Sequence, residues 1–106
     1  MFALYVAAAA PHPDAVTSVP GLVGAALPAP HYSGFLNVST TALHYQFVLS
    51  ERDPTTDPLV LWLNGGPGAS SLIGFWTELG PFNVVVDTAP PAVTLNPHRW
   101  NLAANM

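Results

Sequence analysis

The chain contains no cysteine, so it can form neither a disulfide nor a thiolate metal site. Charge is also scarce: 8% of the 106 residues are charged, and the only basic residues are Arg52 and Arg99. With a formal net charge of −4, the chain lacks the basic patch that binding to nucleic acid requires. The same charge balance argues against electrostatic attraction to an anionic membrane.

A soluble domain usually carries about 25% charged residues, so a free-standing domain of this size should have more polar surface than this chain offers. Two explanations are open. Either the composition reflects a sequence rich in Ala and Pro, or the chain is a piece of a larger protein whose apolar faces meet other elements. One small domain is the most that 106 residues can form.

Residues 1–16 are interpreted as a possible signal or leader segment. Residues 2–10 form an apolar run that is too short to span a bilayer but long enough for the core of a signal peptide. The Ala8-Ala9-Ala10 tripeptide resembles a cleavage site, although no basic residue precedes the run. No other apolar run is long enough for a transmembrane helix, so no membrane span is expected.

The first half of the chain predicts an arm followed by a hairpin. Residues 11–31 hold five prolines, which break helices and remove ladder donors, so we expect an extended arm or loop. Residues 34–39 and 43–50 are rich in strand-forming side chains. Because the link between them is short, the two strands are predicted to pair as an antiparallel hairpin.

The second half predicts the beginning of a mixed α/β sheet. Residues 59–63, LVLWL, are continuously apolar, as expected for a strand that is buried on both faces. A glycine turn follows, and residues 70–79 predict a helix that Gly80-Pro81 ends. Three further elements are predicted: a short strand at residues 82–86, a turn at 87–91 and an ordered loop at 95–101.

The glycine turn Asn64-Gly65-Gly66-Pro67-Gly68 allows three interpretations. A nucleotide-phosphate loop is disfavoured because the segment has no lysine, and Ser71 stands where a dinucleotide fingerprint needs its third glycine. The turn could serve only to bend the backbone between strand and helix. Alternatively, its exposed N–H groups could form an oxyanion hole, because α/β-hydrolases take one donor from the loop after the third strand.

The motif WLNGGPG at residues 62–68, followed by Ser70-Ser71, resembles a motif of the serine carboxypeptidase family, a branch of the α/β-hydrolases. The resemblance extends over residues 17–106, which would form the N-terminal portion of an α/β-hydrolase domain. Its flanking matches are residues 31–38, 43–47, 78–82 and 95–106. One departure is Ala69, which stands where the family usually has cysteine.

The resemblance implies a role for each residue of the site. Gly66 would donate its backbone N–H to the tetrahedral oxyanion, whereas Asn64 and the N–H of Gly65 would bind the C-terminal carboxylate of a peptide. Glu78 would join the same hydrogen-bonded cluster, with Trp62 behind it. Because two close negative charges repel, a carboxyl group at this place implies tighter substrate binding at acidic pH. No cofactor and no metal are implied.

The residues that attack a peptide bond are expected to lie outside this chain. None of its six serines stands in G-x-S-x-G, and Ser70 and Ser71 are better interpreted as helix-start residues that satisfy free N–H groups. The histidines are interpreted as structural or surface residues without metal-ligand spacing: His12, His31, His44 and His98. We therefore expect an N-terminal fragment of a serine-type carboxypeptidase, inactive alone and poorly soluble.

Two alternatives remain at this stage. The chain could belong to a non-catalytic carboxypeptidase-like protein that binds peptide C-termini or modulates a partner. The other possibility is a structural protein rich in Pro and Ala, which the WLNGGPG motif disfavours. The resemblance further implies a vacuolar, lysosomal or secreted location, in which Asn37-Val38-Ser39 would be a candidate glycosylation site.

Overall fold

The computed structural model describes residues 11–22, 24 and 26–106. The apolar run at residues 2–10, interpreted as a possible signal core, lies outside these residues. The longest α-helix in the described part has six residues, so none there has the length needed to cross a bilayer.

Three strands form an antiparallel sheet in the order β1 (Ala15–Val16), β2 (His31–Val38) and β3 (Thr41–Val48). β2 and β3 pair over all eight residues around a turn at residues 39–40. This confirms the predicted antiparallel hairpin, although both strands begin two or three residues earlier and end one or two residues earlier than predicted. The arm at residues 11–31 is not wholly irregular, because β1 lies within it and pairs with β2.

Asp14 fixes β1 against the hairpin. Its backbone oxygen accepts a hydrogen bond from the Ser33 N–H at 2.9 Å, and its carboxylate accepts one from the Tyr45 hydroxyl at 2.7 Å. The carboxylate lies so close to Gly34 that a Cβ there would come within 2.5 Å of the Asp14 Cγ. The last residues of the segment interpreted as a leader are therefore part of the folded sheet.

The prediction of a buried strand at residues 59–63 is wrong. The segment forms one isolated parallel bridge, from Leu59 to Asn105, and three of its side chains are exposed: Leu59 by 75%, Leu61 by 82% and Leu63 by 69%. Val60 and Trp62, which alternate with them, are half-buried. An apolar run can be buried on both faces only where elements pack on both, and the described residues cover one face of this segment.

The helix and the second sheet follow the turn. Helix α1 (Leu72–Thr77) begins two residues later and ends two residues earlier than predicted. At its C-terminal end the Gly74 carbonyl accepts from the N–H groups of Glu78, Leu79 and Gly80. β4 (Phe82–Val85) confirms the predicted strand at residues 82–86. β5 (Ala92–Leu95) pairs with it antiparallel and was not predicted. A 3₁₀ turn at Trp100–Leu102 follows and overlaps the end of the predicted ordered loop at residues 95–101.

The core lies where the first sheet, α1 and β4 meet. Val48 and Phe82 are each 1% exposed, and Phe82 stacks on Trp76 with ring centroids 5.7 Å apart. His31 is also buried there, with its ring 5.4 Å from Phe75. This junction holds α1, and therefore the glycine turn that precedes it, against the hairpin.

Candidate functional site

The glycine turn takes a backbone conformation that only glycine adopts readily. Gly65 has φ 81° and Gly66 has φ 125°, and both lie in the left-handed region. The Ala69 N–H donates to the Gly65 carbonyl at 3.2 Å, which closes the turn. The N–H groups of Gly65 and Gly66 are on exposed residues and donate to no acceptor among the described residues. They are thus available to an anion.

Asn64 attaches the turn to the elements on either side. Its Oδ1 accepts hydrogen bonds from Trp62 Nε1 at 3.0 Å and from the Gly74 N–H at 3.1 Å. Its own N–H donates to the Ser71 Oγ at 3.3 Å. Two donors on Oδ1 fix the orientation of the amide, so Nδ2 is the side that remains for another partner. It donates to no acceptor within the described part of the chain.

Gly74 is a site residue that the sequence analysis missed. A Cβ there would lie 2.4 Å from Trp62 Nε1 and 3.0 Å from Asn64 Oδ1, so the helix approaches the turn this closely only because the residue is glycine. The signal was present in the sequence, because glycine inside a helix costs stability and usually marks a close contact.

Ser70 and Ser71 have different roles. The Ser70 Oγ accepts from the Leu72 N–H at 3.3 Å, which agrees with a helix-start residue. Ser71 occupies the N-cap position, but its side chain caps no helical N–H and instead accepts from Asn64. The interpretation of Ser71 as a cap is therefore corrected: its hydroxyl is engaged by the turn.

Trp62 and Asn64 are brought together, but the side chain of Glu78 is not. The Trp62 ring is half-buried and packs edge-on against Trp100, with centroids 5.7 Å apart. Glu78 is exposed at the C-cap of α1, and its carboxylate accepts no hydrogen bond from the described residues. Only its backbone groups are fixed: the N–H donates to the Gly74 carbonyl at 3.1 Å, and the carbonyl accepts from Asn96 Nδ2 at 2.9 Å.

A cavity of about 460 Å³ opens beside the turn. β3 forms one wall, residues 60–63 another, and the start of α1 a third. Its lining is mainly apolar, and Ser70 and Ser71 lie where the cavity meets the glycine turn. A mainly apolar cavity of this size suits an apolar side chain of a ligand.

The histidines are not gathered into a site. His31 is buried, and its Nε2 lies 2.5 Å from Gln46 Oε1. Burial lowers the pKa of His31, and the hydrogen bond to Gln46 opposes that shift. His44 is exposed and lies 3.0 Å from the Ser33 Oγ. No group of three potential metal ligands occurs in the part of the chain that is described.

Comparison with known proteins identifies a matching family. The family model described as serine carboxypeptidase matches residues 20–106. The chain is similar to the lysosomal protective protein of Mus musculus, with 50% identity over 102 residues, which cover 92% of this chain and 20% of that protein. It is 47% identical over 104 residues to serine carboxypeptidase 1 of Hordeum vulgare, covering 92% of this chain and 21% of that protein.

A third relative is serine carboxypeptidase-like 20 of Arabidopsis thaliana, 42% identical over 103 residues, again 92% of this chain and 20% of that protein. The chain therefore spans about a fifth of the length of these relatives. The family implies an α/β-hydrolase fold, and two antiparallel sheets with one short helix are consistent with part of that fold. From the match over residues 20–106, with the WLNGGPG turn held by its neighbours, we conclude that the chain belongs to the serine carboxypeptidase family.

Proposed function

We propose that the chain provides the oxyanion-binding and carboxylate-binding part of a serine-type carboxypeptidase. Such an enzyme releases C-terminal residues from peptides by Ser-His-Asp acyl transfer in an α/β-hydrolase fold with a parallel sheet. The observation that carries the proposal is the pair of free N–H groups at Gly65 and Gly66, on a turn that Asn64 fixes to Trp62 and Gly74.

The two glycines have separate tasks. The Gly66 N–H would donate to the oxyanion of the tetrahedral intermediate, where loss of one donor typically costs about 10²–10³ in kcat. The Gly65 N–H and Asn64 Nδ2 would donate to the carboxylate at the peptide C-terminus, and charge-assisted hydrogen bonds of this kind are the stronger ones. Glu78 would have to turn inward to join them.

Acyl transfer also needs a nucleophile, a base and an orienting acid. The sequence contains no G-x-S-x-G elbow, so we propose that the 106 residues alone do not hydrolyse peptides. A vacuolar, lysosomal or secreted location is part of the proposal. Its support is that one similar protein is named lysosomal and that others are named carboxypeptidases.

Binding of a C-terminal carboxylate is the first test. The amide resonances of Gly65 and Gly66 are followed by NMR while an N-acetylated dipeptide with a free carboxylate is added, and its C-terminal amide serves as the comparison. We expect shifts with the free acid and none with the amide. Shifts of equal size with both peptides would contradict carboxylate recognition.

Asn64→Asp sharpens the test. The substitution keeps an oxygen that accepts from Trp62 and Gly74, but it replaces the NH₂ donor with a negative charge. We expect the free acid to lose its effect on Gly65. Asn83→Asp places the same charge on β4, outside the turn, and should bind like the parent.

Hydrolysis is tested separately on the native protein. An antibody against this chain isolates the protein from its source, and the hydrolysis of a blocked dipeptide is measured before and after a serine-directed fluorophosphonate. Fluorophosphonate-sensitive release of the C-terminal residue is the expected result. Carboxylate binding without hydrolysis would instead favour the non-catalytic alternative. Hydrolysis by the pure 106 residues would contradict the proposal that the nucleophile, base and orienting acid lie outside them.

A further inference from the structure

The end of the β2–β3 hairpin presents the sequence Phe35-Leu36-Asn37-Val38-Ser39 to solvent. Asn37 is exposed on β2, two residues before the turn, and its side chain makes no hydrogen bond to another described residue. Ser39 is exposed at the first position of the turn with φ 56°. The Asn-x-Ser acceptor is therefore accessible at a protruding end of the sheet.

Phe35 and Asn37 project from the same face of β2, because side chains two apart along a strand lie on one side. Across the hairpin, Phe35 is paired with His44, and Asn37 is paired with the small side chain of Ala42. Phe35 is 68% exposed, although its ring contacts the His44 ring edge-on with centroids 5.2 Å apart. A bulky group on Asn37 would meet no steric obstacle from Ala42 and would reach an exposed aromatic ring.

We propose that Asn37 carries an N-linked oligosaccharide whose first sugar packs on the ring of Phe35. In the transfer, the Asn37 amide nitrogen attacks C1 of the first N-acetylglucosamine of a lipid-diphosphate-linked oligosaccharide. The C1–N bond forms, the C1–O bond to the diphosphate breaks, and the lipid diphosphate leaves while the amide loses one proton. The site rests on the proposed function only in requiring entry into the secretory lumen.

The geometry favours contact between the sugar and the ring. Residues two apart on a strand are separated by about 7 Å, which the first sugar of an Asn-linked chain can bridge. The apolar C–H face of a pyranose suits the negative face of an aromatic ring. The sugar would cover part of the exposed Phe35 side chain at the hairpin end and would thereby stabilise the hairpin.

The acceptor itself is tested by expression of the full chain in eukaryotic cells, once with its own N-terminus and once with a strong signal peptide added in front. The readout is an endoglycosidase-sensitive mass shift and its assignment to residue 37 by peptide mass spectrometry. Since the sequence has no other Asn-x-Ser/Thr, Asn37→Gln and Ser39→Ala should each abolish the shift. An unmodified Asn37 in the secreted chain would overturn the site.

The two expression forms separate this inference from the proposed location. Modification only with the added signal peptide would support the acceptor site without supporting the secretory location. Modification with the natural N-terminus would support both. Neither outcome depends on peptidase activity, so failure of the proposed enzyme function remains distinguishable.

Packing of the sugar is tested by a double-mutant cycle. The rise in Tm due to the glycan is measured against Asn37→Gln, first with Phe35 present and then in Phe35→Ala. We expect Phe35→Ala to remove most of that rise. Leu36→Ala is the matched control, because Leu36 is 57% exposed but lies on the opposite face of the same strand. An equal rise in Phe35→Ala and in the parent would overturn the contact.

Discussion

At the scale of single residues, Gly74 decides how closely the helix can approach the glycine turn. Its N–H binds the Asn64 amide oxygen, and the space where a Cβ would stand is taken by Trp62 Nε1 at 2.4 Å. The contacts with residues 62 and 64, and not the helix itself, therefore require glycine at this position. Helix propensity and the contact oppose each other at this position.

Gly74→Ala tests which effect is larger. Alanine would stabilise an isolated helix by about 1 kcal/mol, whereas overpacking typically costs about 1–3 kcal/mol. We expect a lower Tm and changed Trp62 fluorescence, because the indole must move. Ile73→Ala, at the neighbouring residue that is 48% exposed, serves as the control. A variant as stable as the parent, or more stable, would contradict the close packing.

His31 should make stability depend on pH. Burial lowers its pKa, so below about pH 6.5 the unfolded chain takes up a proton that the folded chain resists. We expect the free energy of unfolding to be greatest above this pH and to fall between pH 7 and 5. Urea denaturation at several pH values measures the effect.

The control variants identify the histidine. His31→Gln keeps a polar group near Gln46 without the titration, and it should flatten the pH dependence between pH 7 and 5. His98→Gln, at an exposed position, should leave the dependence unchanged. Parallel pH profiles for His31→Gln and the parent would assign the effect to another group.

At the scale of elements, the loop between β3 and residue 58 is held by a network centred on Asp57. Its carboxylate accepts from the Ser50 hydroxyl at 2.5 Å and from Arg52 Nε at 2.9 Å. The hydrogen bonds of Arg52 and Ser50 lower the pKa of Asp57 to about 2. No short pattern in the sequence indicates that one carboxylate organises this loop.

The loop should lose stability in acid. Because the pKa of Asp57 is lower in the folded chain than the value of about 3.9 in an unfolded chain, its contribution is present above about pH 4 and is lost as the pH falls towards 2. Asp57→Asn should lower Tm at pH 6 and have less effect at pH 2. Asp87→Asn, at an exposed position in the 86–90 turn region, should have little effect at either pH.

The element scale also shows what local patterns could predict. The β2–β3 hairpin followed from strand-forming residues and a short link, because antiparallel neighbours depend on local sequence. β5 was missed, because its four residues gain their structure from pairing with β4. The segment at residues 59–63 was predicted as buried from its apolar run, but burial depends on what packs against it.

At the scale of the whole molecule, two sets of polar contacts join residues 96–106 to the loop after β3. Arg99 binds the Glu51 carboxylate with two hydrogen bonds, from Nε at 2.5 Å and Nη2 at 2.6 Å. Asn105 accepts from the Ser50 N–H at 3.0 Å and donates to the Pro54 carbonyl at 3.1 Å. Residues 96–106 are thereby joined to the loop after β3, about 50 residues earlier in the chain.

The exposed side chains at Leu59, Leu61 and Leu63 should cause the 106-residue chain to self-associate. An extended segment with free backbone groups and apolar side chains is a site at which other chains pair. We expect the sedimentation coefficient to rise with concentration, and Leu61→Lys to reduce that rise. Leu36→Lys on the hairpin is the control, and an equal effect of both substitutions would exclude a specific role of this segment.

The sequence alone determined the family, because the WLNGGPG motif is specific. It determined the positions of the turn glycines as well, because glycine is the residue that fits a left-handed backbone. It also determined the hairpin, whose pairing is local. Only the tertiary structure decided that Asn64 is fixed by Trp62 and Gly74, that Ser71 serves the turn, and that Glu78 faces solvent. These facts depend on how α1 packs against the turn, and distances between separate elements are not encoded in any short pattern.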